Sequence, residues 1–462
     1  MQKSRILKIA QRIGYFLLPV LLCLLFGCWL LVDFPAEALS VLAAAFFLFL
    51  LILFYLNTVA VTRRYSDSRL RAPAISRERH IGTREIVRLM GILLAVRFLV
   101  LLLAYTWHLA INGYTETLPE YLHIWADHPL SARYVSLANH GYRWKSAGTG
   151  DVYANLVVAP LYALLVRLCS PSAEATIKVA FLLSNVNIIF SGIALYALTA
   201  RQYDRRTARL ALGFFSLLPA SFLWTCTLAD STFMLFSVLT FYALYEKKYV
   251  LSSVFAFLAV LTEVQGIALF FALSAALVCR YSRIRREKIR LKPEANGKQH
   301  LLRQGAGLLL VPLGYVLYLL INRIVSGYAW TFADLSGGFR IIFSQLAALT
   351  DNCIACLRNS EMKELFGMYL PAAGAFFGSI TVLIAGKKHL PIEMCIYSLF
   401  YFLCVPNASG AWPRLLSTCF PVILACAGMA SQKKWLPLLL LLFLGILLLL
   451  RLGMFANGWP AE

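Results

Sequence analysis

Charged residues are scarce in this sequence. They make up 14% of the chain, against about 25% in soluble globular proteins. Hydrophobic residues make up 60%, against roughly 45–50%. This composition excludes an ordinary cytosolic enzyme, a disordered tail protein and a small secreted disulfide-rich domain. Acidic residues are the scarcest charges, since 22 Asp and Glu stand against 43 Lys and Arg, a net charge of +21. In a soluble protein that surplus indicates a nucleic-acid partner, whereas in a membrane protein it indicates one basic side of the bilayer.

Apolar runs of a length suited to crossing a bilayer, about 20 residues, recur along the whole chain. The sequence predicts thirteen transmembrane helices, at 13–33, 38–59, 87–108, 174–200, 208–224, 229–246, 249–262, 265–282, 303–323, 366–386, 389–404, 412–430 and 435–453. The odd number places the two termini on opposite sides. The predicted fold class is an all-α integral membrane protein, a polytopic helical bundle with additional external amphipathic or re-entrant helices.

The charges divide unevenly between the two sides of the membrane. One side would hold 31 of the 43 Lys and Arg residues and 8 of the 22 acidic residues, a net +23, while the rest of the chain carries −2. That basic side comprises the segments 1–12, 60–88, 201–209, 246–248, 280–303, 387–393 and 431–434. Because Lys and Arg favour the cytoplasm, we expect a cytoplasmic N-terminus and an external C-terminus, in the cell membrane if the source is prokaryotic. The basic stretch 283–300 is interpreted as a loop on anionic membrane lipid, and no nucleic-acid partner is expected.

The polar segments divide the chain into parts. We expect an N-terminal transmembrane hairpin over 1–60, a basic cytoplasmic loop over 61–88, a transmembrane domain over 89–453 and an external tail over 454–462. The large external loops of the domain would be 109–173 and 324–365. Within the first of them the apolar run 152–168 is predicted to be re-entrant or to lie on the membrane surface, because counting it as a crossing would place the basic segment 201–209 outside.

Most of the eleven cysteines lie inside predicted spans, where they behave as small apolar side chains. Cys353 and Cys356 stand apart as a C-x-x-C pair in a predicted external loop. Without a second pair or nearby histidines a zinc site is not expected, and a local disulfide and two unpaired thiols are equally compatible with the sequence. No metal and no cofactor are predicted.

The external segment after the third span carries the main candidate for catalysis. Leu130, Tyr134, Leu137 and Ala138 fall at helical spacing over 129–140, which predicts a short amphipathic helix. Asp127 stands just before it, where a carboxylate would act as the general base for an acceptor hydroxyl attacking an activated sugar carbon. The alternative is that Asp127 is a helix N-cap or a solvated loop residue.

Arginines suit the phosphate leaving group of a lipid-linked sugar, because their donors form a fixed fork. Arg133, Arg340 and Arg414 lie in predicted external segments, and Arg97 lies within the third span. The alternatives are a snorkelling surface side chain for Arg133 and a structural ion pair for Arg97. Asp230, at the external end of a predicted hairpin, has a turn residue as its alternative.

Several short motifs occur in the order of a known family. They are Arg97; Trp125 and Asp127, then Tyr134 and Gly141-Tyr142; Ala159-Pro160-Leu161-Tyr162; Ser184-Asn185; Leu218-Pro219-Ala220 before Asp230-Ser231; Leu261-Thr262-Glu263 before Gly266; and Pro413-Arg414 with Phe420-Pro421. Over about 86–453 the chain resembles the PIG-V family, whose eukaryotic members are the second mannosyltransferases of glycosylphosphatidylinositol-anchor assembly. That family belongs to the GT-C superfamily of polytopic glycosyltransferases.

The resemblance implies a GT-C-like bundle that uses a polyprenyl-phosphate-linked sugar, mannose in this family, on the external face. It assigns the base to Asp127 and the donor phosphate to Arg97 and Arg414. It implies that the remaining motif residues orient the donor or the acceptor; these are Trp125, Tyr134, Tyr142, Tyr162, Asp230 and Glu263. The acceptor, a lipid, glycan or protein, is left open.

Two departures from the family pattern favour a second hypothesis. Ala126 separates Trp125 from Asp127, and Glu263 stands where the family has an arginine. These departures are compatible with a catalytically degenerate relative that handles lipid or assists envelope assembly.

Overall fold

The helices of this protein begin and end close to the limits of its apolar runs. The computed structural model describes residues 82–112, 117, 120–121, 131–143, 155–287, 305–331, 342–405, 411–456 and 458–459. Its α-helices are α1 Thr83–Asn112, α2 Ser131–His140, α3 Pro160–Cys169, α4 Thr176–Gln202, α5 Arg205–Leu217, α6 Asp230–Tyr245, α7 Tyr249–Thr262, α8 Ala268–Glu287, α9 Leu310–Ser326, α10 Ile342–Asn359, α11 Met362–Glu364, α12 Leu370–Gly386, α13 Ile392–Cys404, α14 Trp412–Ser417, α15 Phe420–Ala430 and α16 Leu436–Ala456.

The all-α prediction is confirmed, since the described residues contain no strand. Six described helical stretches are long and apolar enough to cross a membrane by length and composition; they are Thr83–Ala110, Thr176–Gln202, Val264–Ser282, Gly305–Ser326, Met362–His389 and Leu436–Ala456. The number thirteen stays a prediction, and the first two predicted spans, 13–33 and 38–59, lie outside the described residues. The chain divides into two compact units, and every site discussed below lies in the larger one, residues 73–277 and 298–462.

Prolines shorten two of the predicted spans. The α-helix of the stretch 208–224 ends at Leu217, because Leu218 precedes Pro219 and takes an extended conformation, φ −55° and ψ 136°. A residue before proline is disfavoured in the helical region. The stretch 412–430 is two helices, since α14 ends at Ser417 and α15 starts afresh at Phe420 with a proline in its first turn.

The described part of the apolar run 152–168 contains a 3₁₀ turn, Asn155–Val157, and the start of α3, a helix of ten residues. At about 1.5 Å per residue it is about 15 Å long, half the thickness of the hydrocarbon core. The re-entrant or surface placement of this run stays a prediction. The amphipathic helix predicted over 129–140 is present as α2, and Gly141 ends it with φ +71°, a backbone conformation that favours glycine.

Segments assigned to one side of the membrane by their charges meet at one end of the helices. Glu85, near the start of α1, lies 3.7 Å from Arg205 at the start of α5. Arg201, at the end of α4, forms an ion pair with Glu246 at the end of α6. The Tyr203 hydroxyl donates to the carbonyl of His389, after α12. The predicted alternation of the helix ends is thus matched by contacts, and which end faces the cytoplasm stays a prediction.

Candidate functional site

The centre of the described structure is a buried connection, residues 218–229, which joins α5 to α6. Residues 220–229 are all buried. The 3₁₀ turn within it, Ser221–Thr225, packs against α1, α4, α5, α6, α14 and α16. Connections normally run over the surface, because buried backbone polar groups need partners. Side chains of other helices must therefore supply hydrogen bonds to this one.

A polar stripe on α4 supplies several of these bonds. Ser184 Oγ donates to the carbonyl of Leu228 at 3.2 Å, and Asn185 Nδ2 donates to the carbonyl of Thr225 at 3.2 Å. One to two turns later, Ser191 Oγ donates to the carbonyl of Ser231, also at 3.2 Å. The Ser184-Asn185 motif thus holds the start of α6 in place.

Arg97 holds the same connection from α1. Its Nη1 donates to the carbonyl of Ser221 at 2.7 Å. Its guanidinium lies over the rings of Phe215 and Trp224, 5.9 and 5.7 Å from their centroids, contacts that offset part of the cost of burying the charge. The other terminal nitrogen, Nη2, is buried without a hydrogen-bond partner among the described residues. The structure thus places Arg97 beside the connection, and its role toward a phosphate stays a prediction.

Asp230, the first residue of α6, forms a buried ion pair with Arg414 of α14. Arg414 Nη1 lies 2.6 Å from Asp230 Oδ2, and the two residues are 9% and 1% exposed. The helix that carries Arg414 is fixed from both sides. Trp224 Nε1 donates to Ser417 Oγ at 3.1 Å, and the Tyr401 hydroxyl donates to the carbonyl of Leu415 at 2.7 Å. A buried charge pair is costly to desolvate. The ion pair is therefore favourable only if Arg414 is held at hydrogen-bonding distance from Asp230.

Glu263 brings α2 to the same place. It follows the last residue of α7 in an extended conformation and accepts a hydrogen bond from the Tyr134 hydroxyl at 2.9 Å. The next turn needs a glycine, since a Cβ on Gly266 would lie 2.7 Å from the backbone nitrogen of Val260. Burial, and next the charge of Asp230, raises the pKa of Glu263 to about 7, while Arg414 opposes the rise. The surroundings of Glu263 therefore favour the neutral form of its carboxyl.

Tyr134, Asp230, Glu263 and Arg414 will be called the Asp230 cluster. They are joined by two direct contacts, the Asp230–Arg414 pair and the Tyr134–Glu263 hydrogen bond, and by the electrostatic effect of Asp230 and Arg414 on Glu263. Burial and the neighbouring Glu263 also raise the pKa of the Tyr134 phenol well above its usual value, so Tyr134 stays a hydrogen-bond donor.

Several buried polar atoms at or near this cluster have no hydrogen-bond partner among the described residues. They are Asp230 Oδ1, Arg414 Nε and both amide atoms of Gln265, a side chain only 1% exposed. Buried polar groups are nearly always hydrogen-bonded to protein or water. These unpaired donors and acceptors are therefore the atoms to which a polar ligand or an ordered water would hydrogen-bond.

Two further predicted residues support the cluster from α3 and from the end of α2. Tyr162 packs edge-on against Tyr134, with ring centroids 5.3 Å apart, and its hydroxyl lies 2.7 Å from Ser184 Oγ. The Tyr142 hydroxyl donates to the carbonyl of Val158 at 2.9 Å, which ties the end of α2 to the approach to α3. Arg133 precedes Tyr134 on α2 but is exposed, and no contact within the described part of the chain joins it to the cluster.

Three predicted site residues, Trp125, Asp127 and Arg340, lie outside the described residues. Gln265 was missed by the sequence reasoning. The available signal was a lone amide in the apolar run from Val264 to Phe271. Among the described residues, the side chains grouped closely enough to share a metal ion lie elsewhere, around Cys356.

Comparisons with known proteins give few likenesses. No protein-family model matches the sequence, and no curated protein is significantly similar to it. Among solved structures, an oligosaccharyltransferase of Archaeoglobus fulgidus tethered with an acceptor peptide has a TM-score of 0.39 and 12% identity, over 80% of this chain and 55% of that one. The same enzyme in complex with an inhibitory peptide and a dolichol-phosphate has a TM-score of 0.37 and 11% identity, over 80% and 56%. This chain spans just over half the length of that protein, and a likeness of this size does not by itself assign a fold or a function.

Proposed function

We propose that this protein is a GT-C-type membrane glycosyltransferase. It would move a sugar, mannose by its resemblance to the PIG-V family, from a polyprenyl-phosphate donor to an acceptor on the extracytoplasmic face. The observation that carries the proposal is the Asp230 cluster. Tyr134, Asp230, Glu263 and Arg414 belong to separate motifs along the sequence, and all four meet in one group, in which Glu263 is half-buried and the other three are buried.

Arg414 suits the donor phosphate. Asp230 occupies one terminal nitrogen of its guanidinium at 2.6 Å, which orients the fork, and Nε has no partner among the described residues. A phosphate oxygen would bind the remaining donors by charge-assisted hydrogen bonds. As the bond from the sugar carbon to that oxygen breaks, negative charge grows on the phosphate, and a preoriented guanidinium stabilises it without reorganising.

Glu263 stands where the family pattern has an arginine, and it would bind the phosphate as a neutral hydrogen-bond donor, not as a cation. A carboxylate beside a phosphate repels it, but a carboxyl whose pKa burial raises to about 7 is available in the neutral form. The Tyr134 hydroxyl donates to Oε1, so a proton on Oε2 would be free to donate to a phosphate oxygen. The binding of an anion would favour that neutral form further.

Asp127 would be the general base. It precedes α2, the helix that carries Tyr134, by four positions. Its carboxylate would take the proton of the acceptor hydroxyl as the acceptor oxygen bonds to the sugar carbon and the polyprenyl phosphate leaves. The sequence places no other acidic residue between Glu120 and Asp151 in this external segment.

The test is sugar transfer by the full-length protein in lipid vesicles, with a polyprenyl-phosphate-linked mannose and membrane extract as the acceptor source. General-base removal in Asp127→Asn is expected to lower the rate about 10²–10⁴-fold. The matched control is Asp351→Asn, an exposed aspartate on α10, which should keep the wild-type rate. Transfer by Asp127→Asn at the rate of the control would refute the base assignment.

A catalytically degenerate, lipid-handling relative is the second candidate, and Glu263 favours it. The cluster holds two carboxyl groups against one arginine, a balance unfavourable to a phosphate when both are ionised. If the wild type transfers no sugar and Glu263→Arg, which restores the family pattern, gains transfer, the degenerate reading is correct. Transfer by the wild type, lost in Glu263→Arg, supports the enzyme.

A further inference from the structure

A second group of chemically active side chains lies away from the Asp230 cluster, where α10 ends and α11 begins. Cys356 is in the last turns of α10, and Glu361 and Glu364 flank and end the short helix α11. The chain reverses at Ser360, whose φ of +60° is in the left-handed region that a serine rarely adopts. The backbone N–H of Glu361 then donates to the carbonyl of Cys356 at 2.9 Å. The reversal brings both glutamates back over the cysteine.

The three side chains converge on one point. The sulfur of Cys356 lies 3.9 Å from Oε2 of Glu361. The sulfur and one carboxylate oxygen from each of Glu361 and Glu364 all lie within 4.8 Å of one another. Cys356 is only 2% exposed, whereas both glutamates are exposed. One buried sulfur ligand and two exposed carboxylates leave an approach for an ion from solvent.

We propose that Cys356, Glu361 and Glu364 form a binding site for Zn²⁺, with water as the fourth ligand. Zinc bonds to cysteine sulfur are about 2.3 Å long and those to carboxylate oxygen about 2.0–2.2 Å, in tetrahedral geometry. Such bonds hold sulfur and oxygen about 3.5 Å apart. The observed 3.9 Å between Cys356 and Glu361 needs only small rotations of the exposed glutamates to reach that value. Thiolate together with carboxylate suits zinc better than calcium or magnesium, which take oxygen ligands alone.

The sequence alone does not indicate this ligand set. Glu361 and Glu364 lie five and eight positions after Cys356, and no regular helix would place all three side chains together. The left-handed turn at Ser360 provides the contact that periodicity does not predict. Cys353 lies one turn before Cys356, outside the set that converges, so the C-x-x-C pair is not the ligand set.

The test uses the full-length protein, purified in detergent under reducing conditions, stripped with a chelator and titrated with Co²⁺. Cobalt occupies tetrahedral zinc sites, and its bond to a thiolate gives a charge-transfer absorption that reports sulfur ligation directly. We expect one equivalent to bind with that absorption and Zn²⁺ to displace it. Cys356→Ser should abolish the absorption, and Glu361→Gln and Glu364→Gln should each weaken binding at least about tenfold.

Cys353→Ser is the matched control, because it removes the other thiol of the same pair, and it should leave the affinity within about threefold of the wild type. Absorption that survives in Cys356→Ser would overturn the site. Equal losses in the Cys353 and Cys356 variants would show that a dithiol binds the ion instead. A Cys353–Cys356 disulfide in protein isolated without reductant, seen as a linked peptide by mass spectrometry, would also overturn it. The metal titration is independent of sugar transfer, so it stands or fails separately from the proposed function.

Discussion

Replacing Asp230 by asparagine should destabilise the protein severely. The substitution preserves the shape of the side chain but leaves the Arg414 guanidinium, itself 9% exposed, without its partner at 2.6 Å. Removing one partner of a buried ion pair costs about 3–5 kcal/mol when the remaining charge is left uncompensated. Glu263 also acts electrostatically on Arg414 and offsets part of this cost. A chain of 462 residues has an unfolding entropy of about 1 kcal/mol/K at the usual value per residue. The expected fall in melting temperature is therefore at most about 3–5 °C.

The assay is thermal unfolding of the purified full-length protein in detergent, at fixed pH and protein concentration. Asp230→Asn is compared with Asp351→Asn, which removes an exposed charge and should change stability by less than about 0.5 kcal/mol. A third variant is Arg414→Gln, and a fourth combines it with Asp230→Asn. Because the fourth variant removes both charges, it should be more stable than Asp230→Asn alone. The reasoning is refuted if Asp230→Asn and Asp351→Asn melt together, or if the double variant loses the sum of the two single losses.

Two other substitutions test the surroundings of the cluster in the same assay. Gly266→Ala should lower the unfolding free energy by about 1–3 kcal/mol, because its Cβ would lie 2.7 Å from the Val260 nitrogen. The control is Gly374→Ala, whose Cβ would meet open space and should not destabilise the protein. Equal melting temperatures of the two variants would contradict the tight turn at Gly266. In the folded protein the pKa of Glu263 is raised from 4.5 to about 7. The folded state therefore binds more protons than the unfolded state between these pH values. The free energy of unfolding should fall as pH rises from about 4.5 to about 7. Glu263→Gln should remove this fall in the free energy of unfolding, which is at most about 3 kcal/mol. If the free energies of unfolding of the wild type and the variant depend on pH in the same way, the pKa of Glu263 is not raised.

The limits of the helices were largely predictable, because apolar runs and helix-ending residues coincide. The stretches predicted at 249–262 and 435–453 are helices over Tyr249–Thr262 and Leu436–Ala456. Gly141 ends α2 where the sequence indicates. The buried connection 218–229 was not predicted. Its residues are apolar and therefore resemble the end of a span, and apolar composition alone does not distinguish a transmembrane helix from irregular backbone buried in protein.

The members of the Asp230 cluster could be named from the sequence, but their pairing could not. The motifs include Tyr134, Asp230, Glu263 and Arg414 without indicating which residue bonds to which. The pairing depends on where α14 sits relative to the start of α6, and that is fixed by packing, such as the bond from Trp224 to Ser417. Spacing along the chain carries no information about contacts between residues so far apart.

The long sequence separation of these contacts has a consequence for how the chain is made. Asp230 and Arg414 are 184 positions apart, and Trp224 and Ser417 are 193 apart. At roughly 5–20 residues per second, the ribosome delivers Arg414 about 10–40 s after Asp230. During that interval the carboxylate has no countercharge, so it remains hydrated, binds a proton or is held by another protein. The short helix α14, which carries both Arg414 and Ser417, is therefore synthesised long after the partners of these residues, and truncation before Arg414 would leave Asp230 and Trp224 without them.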